Sequence, residues 1–83
     1  MHEIIFEEPA KQFIRKLSKD KQKEILDKIS QLKNNPSLEK PLVGKLSGAR
    51  RLSISEFRVI YTIKDIELIV LILKVNHRKN IYN

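Results

Sequence analysis

The fold is decided by the stretch Arg51–Ile63, which reads RLSISEFRVIYTI. Apolar and polar side chains alternate through most of this stretch, and the pair Ser55-Glu56 interrupts the pattern. Because successive side chains of a strand point to opposite faces, the spacing predicts two half-buried strands, Arg51–Ser55 and Phe57–Ile63. A link this short is typical of a hairpin, so the two strands are predicted to be antiparallel neighbours.

One residue breaks the apolar character of the second strand. The side chains predicted to share its buried face are Phe57, Val59, Tyr61 and Ile63. Arg58 falls on the opposite face, beside Ile60. An arginine is seldom buried without compensation, so Arg58 is predicted either to form an ion pair or to face a ligand.

Further strands are predicted on both sides of this hairpin. A third strand, Glu67–Val75, follows the short link Lys64-Asp65-Ile66 and completes an antiparallel meander. Near the N-terminus, Glu3–Glu7 places β-branched and aromatic residues between acidic ones, which favours a short strand.

Two amphipathic helices are predicted between the first strand and the meander. Pro9 suits the first turn of one helix, Ser18 or Asp20 caps the other, and Asn34-Asn35-Pro36 ends it. Their apolar stripes are formed by Ala10, Phe13, Ile14 and Leu17, and by Ile25, Leu26, Ile29 and Leu32. Neither helix can bury its stripe alone, so the prediction is a single α+β domain over residues 1–83, with an antiparallel helix pair packed on a small sheet.

Length and composition exclude several classes of fold and function. The 83 residues carry 17 Lys and Arg against 10 Asp and Glu, a net charge of +7, and no cysteine. A chain this short cannot form a Rossmann domain or a TIM barrel. The absence of cysteine, of a signal peptide and of a long apolar run predicts a soluble, cytoplasmic protein. Two histidines give no credible metal site, and we expect no cofactor.

The positive charge is concentrated in the half of the chain that carries the meander. Residues 1–41 carry nine basic against seven acidic side chains, whereas residues 42–83 carry eight against three. The basic residues that are candidates for one positive surface are Lys45, Arg50, Arg51, Arg58, Lys74, Arg78 and Lys79. Ser53 lies on the polar face of its strand, next to Arg51. The ligand predicted for such a surface is a polyphosphate, nucleic acid above all.

The order of these motifs resembles the RelE branch of the RelE/ParE toxin superfamily. The motifs that carry the resemblance are Gly44-Lys45-Leu46-Ser47-Gly48, Arg51-Leu52-Ser53-Ile54, Phe57-Arg58-Val59-Ile60-Tyr61 and Val75-Asn76-His77-Arg78-Lys79-Asn80-Ile81-Tyr82. Together they extend over nearly the full chain. The resemblance implies a RelE-like fold and the toxin of a toxin–antitoxin pair, which enters the ribosomal A site and cleaves mRNA without a metal. It also implies a RelB-like antitoxin, expected to be acidic and helical.

The resemblance also implies roles for individual residues. Arg58, Arg78 and Tyr82 fall on positions that are catalytic in active family members. Tyr82 would deprotonate the ribose 2′-OH, Arg58 would hold the scissile phosphate, and Arg78 would stabilise the leaving oxygen. An unperturbed tyrosine has a pKa of about 10, so nearby cations must favour its phenolate.

Some features depart from the family pattern or have simpler explanations. Well-studied members carry two lysines where this chain has Arg51 and Ser53, so one amine is missing. His77 is a secondary candidate that would replace it as acid or base. From the residues alone, Arg58 is equally compatible with an ion pair to Glu56 or Glu67, and Tyr82 with a surface aromatic residue near a fraying end.

Two other functions are compatible with the same sequence. One is a ParE-like inhibitor of DNA gyrase, which acts through protein contacts. The other is a catalytically silent module that binds RNA or an antitoxin. The sequence His77-Arg78-Lys79 followed by Tyr82 favours the nuclease, because a gyrase inhibitor has no need of that tyrosine.

Overall fold

The computed structural model describes residues 2–35 and 48–78. Their order along the chain is strand, two helices, a short 3₁₀ turn and three further strands. The four strands form one sheet in the order β1-β4-β3-β2, in which β1 pairs with β4 in parallel and the other pairs are antiparallel. The predicted α+β architecture with a helix pair and a meander is confirmed.

The helices begin where local signals place them, but the second helix ends at Ser30, before the predicted stop at Asn34-Asn35-Pro36. Helix α1 spans Glu8–Arg15 with a proline in its first turn, and α2 spans Lys19–Ser30. Ser18 is the N-cap of α2, because its hydroxyl accepts the backbone N–H of Lys21 at 3.4 Å. A 3₁₀ turn, Gln31–Lys33, extends α2. No helix within the described residues combines the length and the apolar composition that spanning a bilayer requires.

The strands differ from their predicted bounds by at most two residues at either end. They span Glu3–Phe6 (β1), Ala49–Ile54 (β2), Phe57–Lys64 (β3) and Ile69–His77 (β4). The start of β4 is later than predicted because Leu68 takes part in the preceding turn, with a positive φ of 56° and its N–H donated to the Asp65 carbonyl at 3.2 Å. Its end is later because pairing with β3 continues until His77 lies opposite Phe57.

Both helices pack on the same face of the sheet. The core consists of Ala10, Ile14, Ile25, Ile29, Leu32, Leu52, Ile54, Phe57, Val59, Tyr61, Val70, Ile72 and Val75. Each predicted apolar stripe contributes to this cluster, and Phe13 and Leu17 pack against it while half-buried. Leu26 is 42 % exposed, so it lies at the edge of its stripe rather than in the core.

We predict that the core on the helix side determines stability. Ile25 is fully buried whereas Ile66, in the β3–β4 turn, is 97 % exposed. Ile25→Ala should lower the free energy of unfolding by about 2–5 kcal/mol, because it removes buried methyl groups and leaves a cavity. The matched change Ile66→Ala should alter it by less than about 0.5 kcal/mol. Urea denaturation measures both, and equal losses would contradict this assignment of the core.

Candidate functional site

The face of the sheet that the helices do not cover carries four of the seven predicted site residues that the structure describes. In β2 and β3, Ser53 lies opposite Arg58, and Arg58 lies opposite Asn76 of β4. The next row on the same side consists of Arg51, Ile60 and Lys74. Residues that pair directly across strands share a face. These two rows, Arg51, Ser53, Arg58, Ile60, Lys74 and Asn76, are called the second face below.

Arg58 is the buried charge of the second face. Its side chain is only 5 % exposed, and that of its neighbour Ile60 is 8 % exposed. Arg58 is also engaged by another group of the chain. A charge in such a buried setting interacts more strongly with a ligand than one in bulk water.

Two further cations flank this position. Arg51 and Lys74 lie on either side of Ile60, and both are exposed. Directly paired residues have Cβ atoms about 5 Å apart, so all three side chains of this row fall within the span of one or two nucleotides. Arginine offers a planar fork of donors to phosphate, and lysine offers a compact charge. The arrangement is therefore suited to binding a phosphodiester backbone.

Asn76 belongs to the second face but is not among the site residues predicted from the sequence. It is half-buried and lies directly opposite Arg58. Its amide offers both donors and an acceptor beside the arginine. Its place follows only from the pairing of β4, which the apolar run before it does not reveal. Arg78 follows two residues later, is exposed, and places Nη1 3.5 Å from the Ser55 carbonyl, at the long limit for a hydrogen bond.

Two predicted site residues lie on the helix side of the sheet instead. Arg50 pairs opposite Tyr61, a core residue, so its side chain leaves the sheet on the helix side. His77 pairs opposite Phe57, and its ring lies 5.1 Å from the Phe57 ring and 5.4 Å from that of Phe13. The structure therefore does not bring Arg50 or His77 together with Arg58.

Three predicted site residues lie outside the described part of the chain. They are Lys45, Lys79 and Tyr82. Their assignment stays a prediction. Within residues 2–35 and 48–78, no group of three or more His, Cys, Asp or Glu side chains is placed to hold a metal ion.

A charged contact joins α2 to the β2–β3 turn. Lys21 Nζ donates to the Glu56 carboxylate and also lies 5.5 Å from the centre of the Phe57 ring. This hydrogen bond, together with the negative charges of Glu56 and Glu24, raises the pKa of Lys21 above its usual value although partial desolvation opposes the shift. The carboxylate of Glu56 thus lies on the helix side, whereas Arg58 leaves the sheet on the other side.

A known protein family matches almost the whole chain. The model described as "ParE toxin of type II toxin-antitoxin system, parDE" matches residues 4–82. The chain belongs to this family. The resemblance to the RelE/ParE superfamily is therefore confirmed, and the chain is the toxin of a type II toxin–antitoxin system.

Solved structures with the same fold include toxins alone and in complexes. The toxin–antitoxin complex RelBE2 from Mycobacterium tuberculosis contains a chain that is 26 % identical, with a TM-score of 0.84 over 93 % of this toxin and 98 % of that chain. The intact Escherichia coli RelBE complex contains a chain that is 18 % identical, with a TM-score of 0.80 over 93 % of this toxin and 96 % of that chain. The isolated E. coli RelE toxin is 20 % identical, with a TM-score of 0.80 over 99 % of this toxin and 92 % of that chain. No curated protein matches the sequence.

We predict that the Lys21–Glu56 contact contributes to the stability of the toxin in a pH-dependent way. A lysine whose pKa is raised by folding stabilises the native state below its unfolded pKa of about 10.4, and the contribution disappears as the pH rises through the folded value. The stability difference between wild type and Lys21→Met should therefore be constant from about pH 7 to pH 9 and shrink above about pH 10.5.

Urea denaturation at stepped pH measures this difference. Lys23→Met is the matched control, because Lys23 is an exposed lysine of the same helix. We expect no such alkaline trend for the control, since no ion pair among the described residues involves Lys23. A difference that grows with pH would contradict the prediction.

Proposed function

We propose that this toxin is a ribosome-dependent endoribonuclease that cleaves mRNA in the A site and so inhibits translation. The observation that carries the proposal is the second face, where the buried Arg58 lies between Ser53 and Asn76, and the cations of Arg51 and Lys74 fill the next row. A buried guanidinium beside a row that carries two exposed cations suits a phosphate whose charge increases during the reaction. Translated mRNA is met in the cytoplasm, where we expect the toxin to act.

The proposed reaction needs no metal. The 2′-oxygen attacks the adjacent phosphorus, the bond from phosphorus to the 5′-oxygen breaks, and the products are a 2′,3′-cyclic phosphate and a 5′-hydroxyl. Tyr82 accepts the proton of the 2′-OH, Arg58 binds the non-bridging phosphate oxygens, and Arg78 stabilises or protonates the departing oxygen. Arg51 and Lys74, with Lys45 and Lys79, would bind flanking phosphates.

A second candidate is inhibition of DNA gyrase. The description of the matching family model, which names the ParE toxin of parDE, favours it. The sequence His77-Arg78-Lys79 followed by Tyr82 supports the nuclease instead, because binding gyrase requires no tyrosine base. One preparation of toxin tested on programmed ribosomes and on gyrase with supercoiled DNA separates the two. Gyrase-dependent DNA breaks without cuts in mRNA would overturn our proposal.

We predict that cleavage depends on Tyr82 and Arg78. On programmed ribosomes, with mRNA ends mapped by primer extension, Tyr82→Phe should slow cleavage by about 10²–10⁴-fold because it removes the base. Arg78→Ala should slow it by about 10²–10³-fold because the leaving oxygen loses its stabilising charge. Both residues lie near the chain end, so far-UV circular dichroism and thermal melting should change little.

Arg15→Ala is the matched control for the loss of an exposed arginine. Arg15 lies in the last turn of α1, on the helix side of the sheet. Cleavage by this variant should equal that of wild type. Full activity of Tyr82→Phe would show that the base is a different residue.

We also propose that the partner of this toxin is a RelB-like antitoxin. Two of the similar structures are RelBE toxin–antitoxin complexes, with TM-scores of 0.84 and 0.80. A toxin with a net charge of +7 is matched best by an acidic partner, which speeds encounter and masks the positive field. We expect each toxin chain to bind at least one antitoxin chain.

We predict that association with the antitoxin is steered by charge. Between about 0.05 M and 0.5 M salt, the association rate constant should fall by about tenfold or more, because exposed charges are screened. The dissociation rate constant should change much less. Surface plasmon resonance with the co-encoded antitoxin measures both constants. An association rate that does not depend on salt would contradict an acidic partner.

A further inference from the structure

Glu56 connects three separate parts of the toxin. One carboxylate oxygen accepts Lys21 Nζ from α2, and the other lies 3.8 Å from Nδ1 of His77 at the end of β4. Its backbone carbonyl accepts the N–H of Arg78 at 2.9 Å. Since Glu56 belongs to the turn between β2 and β3, this turn is tied to a helix and to the first residue after β4.

Aromatic contacts fix the same region from the helix side. The rings of Phe13 and Phe57 lie 5.9 Å apart at nearly a right angle, and the His77 ring contacts both. Lys21 Nζ lies over the Phe57 ring. Contacts of these kinds add stability beyond that of simple burial. We call these five residues, Phe13, Lys21, Glu56, Phe57 and His77, the turn cluster.

The turn cluster fixes where the C-terminal segment begins. The pairing of β4 with β3 ends at His77, and the next backbone N–H, that of Arg78, is bound by Glu56. The guanidinium of Arg78 lies beside the carbonyl of Ser55 in the same turn. Ser55 has a positive φ of 53°, a conformation that surrounding structure must support. Arg78 is thus held by the turn rather than by the sheet.

We propose that Glu56 is a positioning residue that fixes Arg78 at the margin of the second face. The proposal rests on the proposed function, in which Arg78 and Tyr82 act on the RNA. Glu56 itself has no contact with the reacting atoms. It acts by binding Lys21 and His77 with its carboxylate, so that the turn carrying its carbonyl stays where Arg78 requires it.

Glu56 is too exposed for its main role to be the stabilisation of the whole fold. Its side chain is 48 % exposed, and that of Lys21 is 44 % exposed. Exposed ion pairs contribute little to global stability. A displacement of about 1 Å at a reacting group, in contrast, costs as much as 10²-fold in rate. Loss of the carboxylate should therefore affect catalysis far more than folding.

The test uses Glu56→Gln, which keeps the backbone carbonyl and the side-chain shape but removes the charge. Glu67→Gln is the matched control, because Glu67 is an exposed glutamate in the other turn of the meander, between β3 and β4. Amide hydrogen exchange of the full-length toxin, followed by NMR, reports on Arg78 independently of activity. Single-turnover cleavage on programmed ribosomes reports on catalysis, and urea denaturation on stability.

For Glu56→Gln we expect about fivefold faster exchange at the Arg78 amide, with the amide of the core residue Val59 unchanged. The cleavage rate at saturating ribosome concentration should fall about tenfold. The ribosome concentration that gives half the maximal rate should stay the same, because positioning acts on the reacting groups and not on ribosome binding. Glu67→Gln should match wild type in every measurement. Lys21→Met removes the same ion pair from the other side and should shift exchange and rate in the same direction.

Two outcomes separate the inference from the proposed function. Unchanged exchange and unchanged cleavage in Glu56→Gln, with an active wild type, would overturn the positioning role and leave the nuclease intact. No cleavage by the wild type would overturn the nuclease and the catalytic part of this role, whereas faster exchange at Arg78 would still support its anchoring by Glu56. Equal acceleration at Arg78 and Val59 would show general destabilisation and overturn the inference.

Discussion

The register between β3 and β4 is the constraint on which the rest of the structure depends. Val59 pairs with Val75 and Ile60 with Lys74, but Tyr61 pairs with Ile72, so β4 contains one extra residue at this point. Such a bulge reverses which side chains point to which face. Before it the core takes Val70 and Ile72, and after it the core takes Val75. Without the extra residue, Lys74 and Asn76 would point towards the helices and Val75 away from them.

One inserted residue therefore determines both functional surfaces at the end of β4. Asn76 joins Arg58 on the second face, whereas His77 turns to the helix side and meets Phe13 and Phe57. The proposed chemistry and the proposed anchoring thus come from successive residues of one strand. A register slip of one residue would exchange the two faces of β4 and so separate Asn76 from Arg58 and His77 from Phe57. Burial of the apolar side chains on the helix side prevents such a slip.

The sequence predicts the elements in which apolar and polar side chains recur with a regular strand or helix spacing. The alternation in β2 and β3 assigns Leu52, Val59 and Arg58 to the faces on which the structure has them. The helix stripes likewise predict the buried residues of α1 and α2, since a spacing of three and four residues marks one helix face. The capping choice also has a local physical basis, because Ser18 can accept the N–H of the residue three positions on.

The sequence cannot predict features that depend on pairing. Leu68–Leu73 is uniformly apolar, so it hides the bulge, and with it the faces of Asn76 and His77. The four residues of β1 favour a strand, but nothing in them specifies parallel pairing with β4. The sequence groups Arg50 with the basic surface by its charge, and predicts that the strand begins at Arg51. In the structure it lies within β2, where alternation directs it to the helix side.

The position of Arg58 on a central strand explains how a small domain keeps a cation buried. Phe57 and Val59, its neighbours in β3, are both fully buried on the helix side, and β3 is paired on both edges. The apolar burial on one face fixes the backbone, so the arginine on the other face needs little support of its own. Desolvating the guanidinium costs free energy, which core packing on the same strand offsets. In the proposed function, a phosphate that reaches Arg58 would interact with a cation in a low-dielectric setting, where the attraction is stronger than at the exposed Arg51 and Lys74.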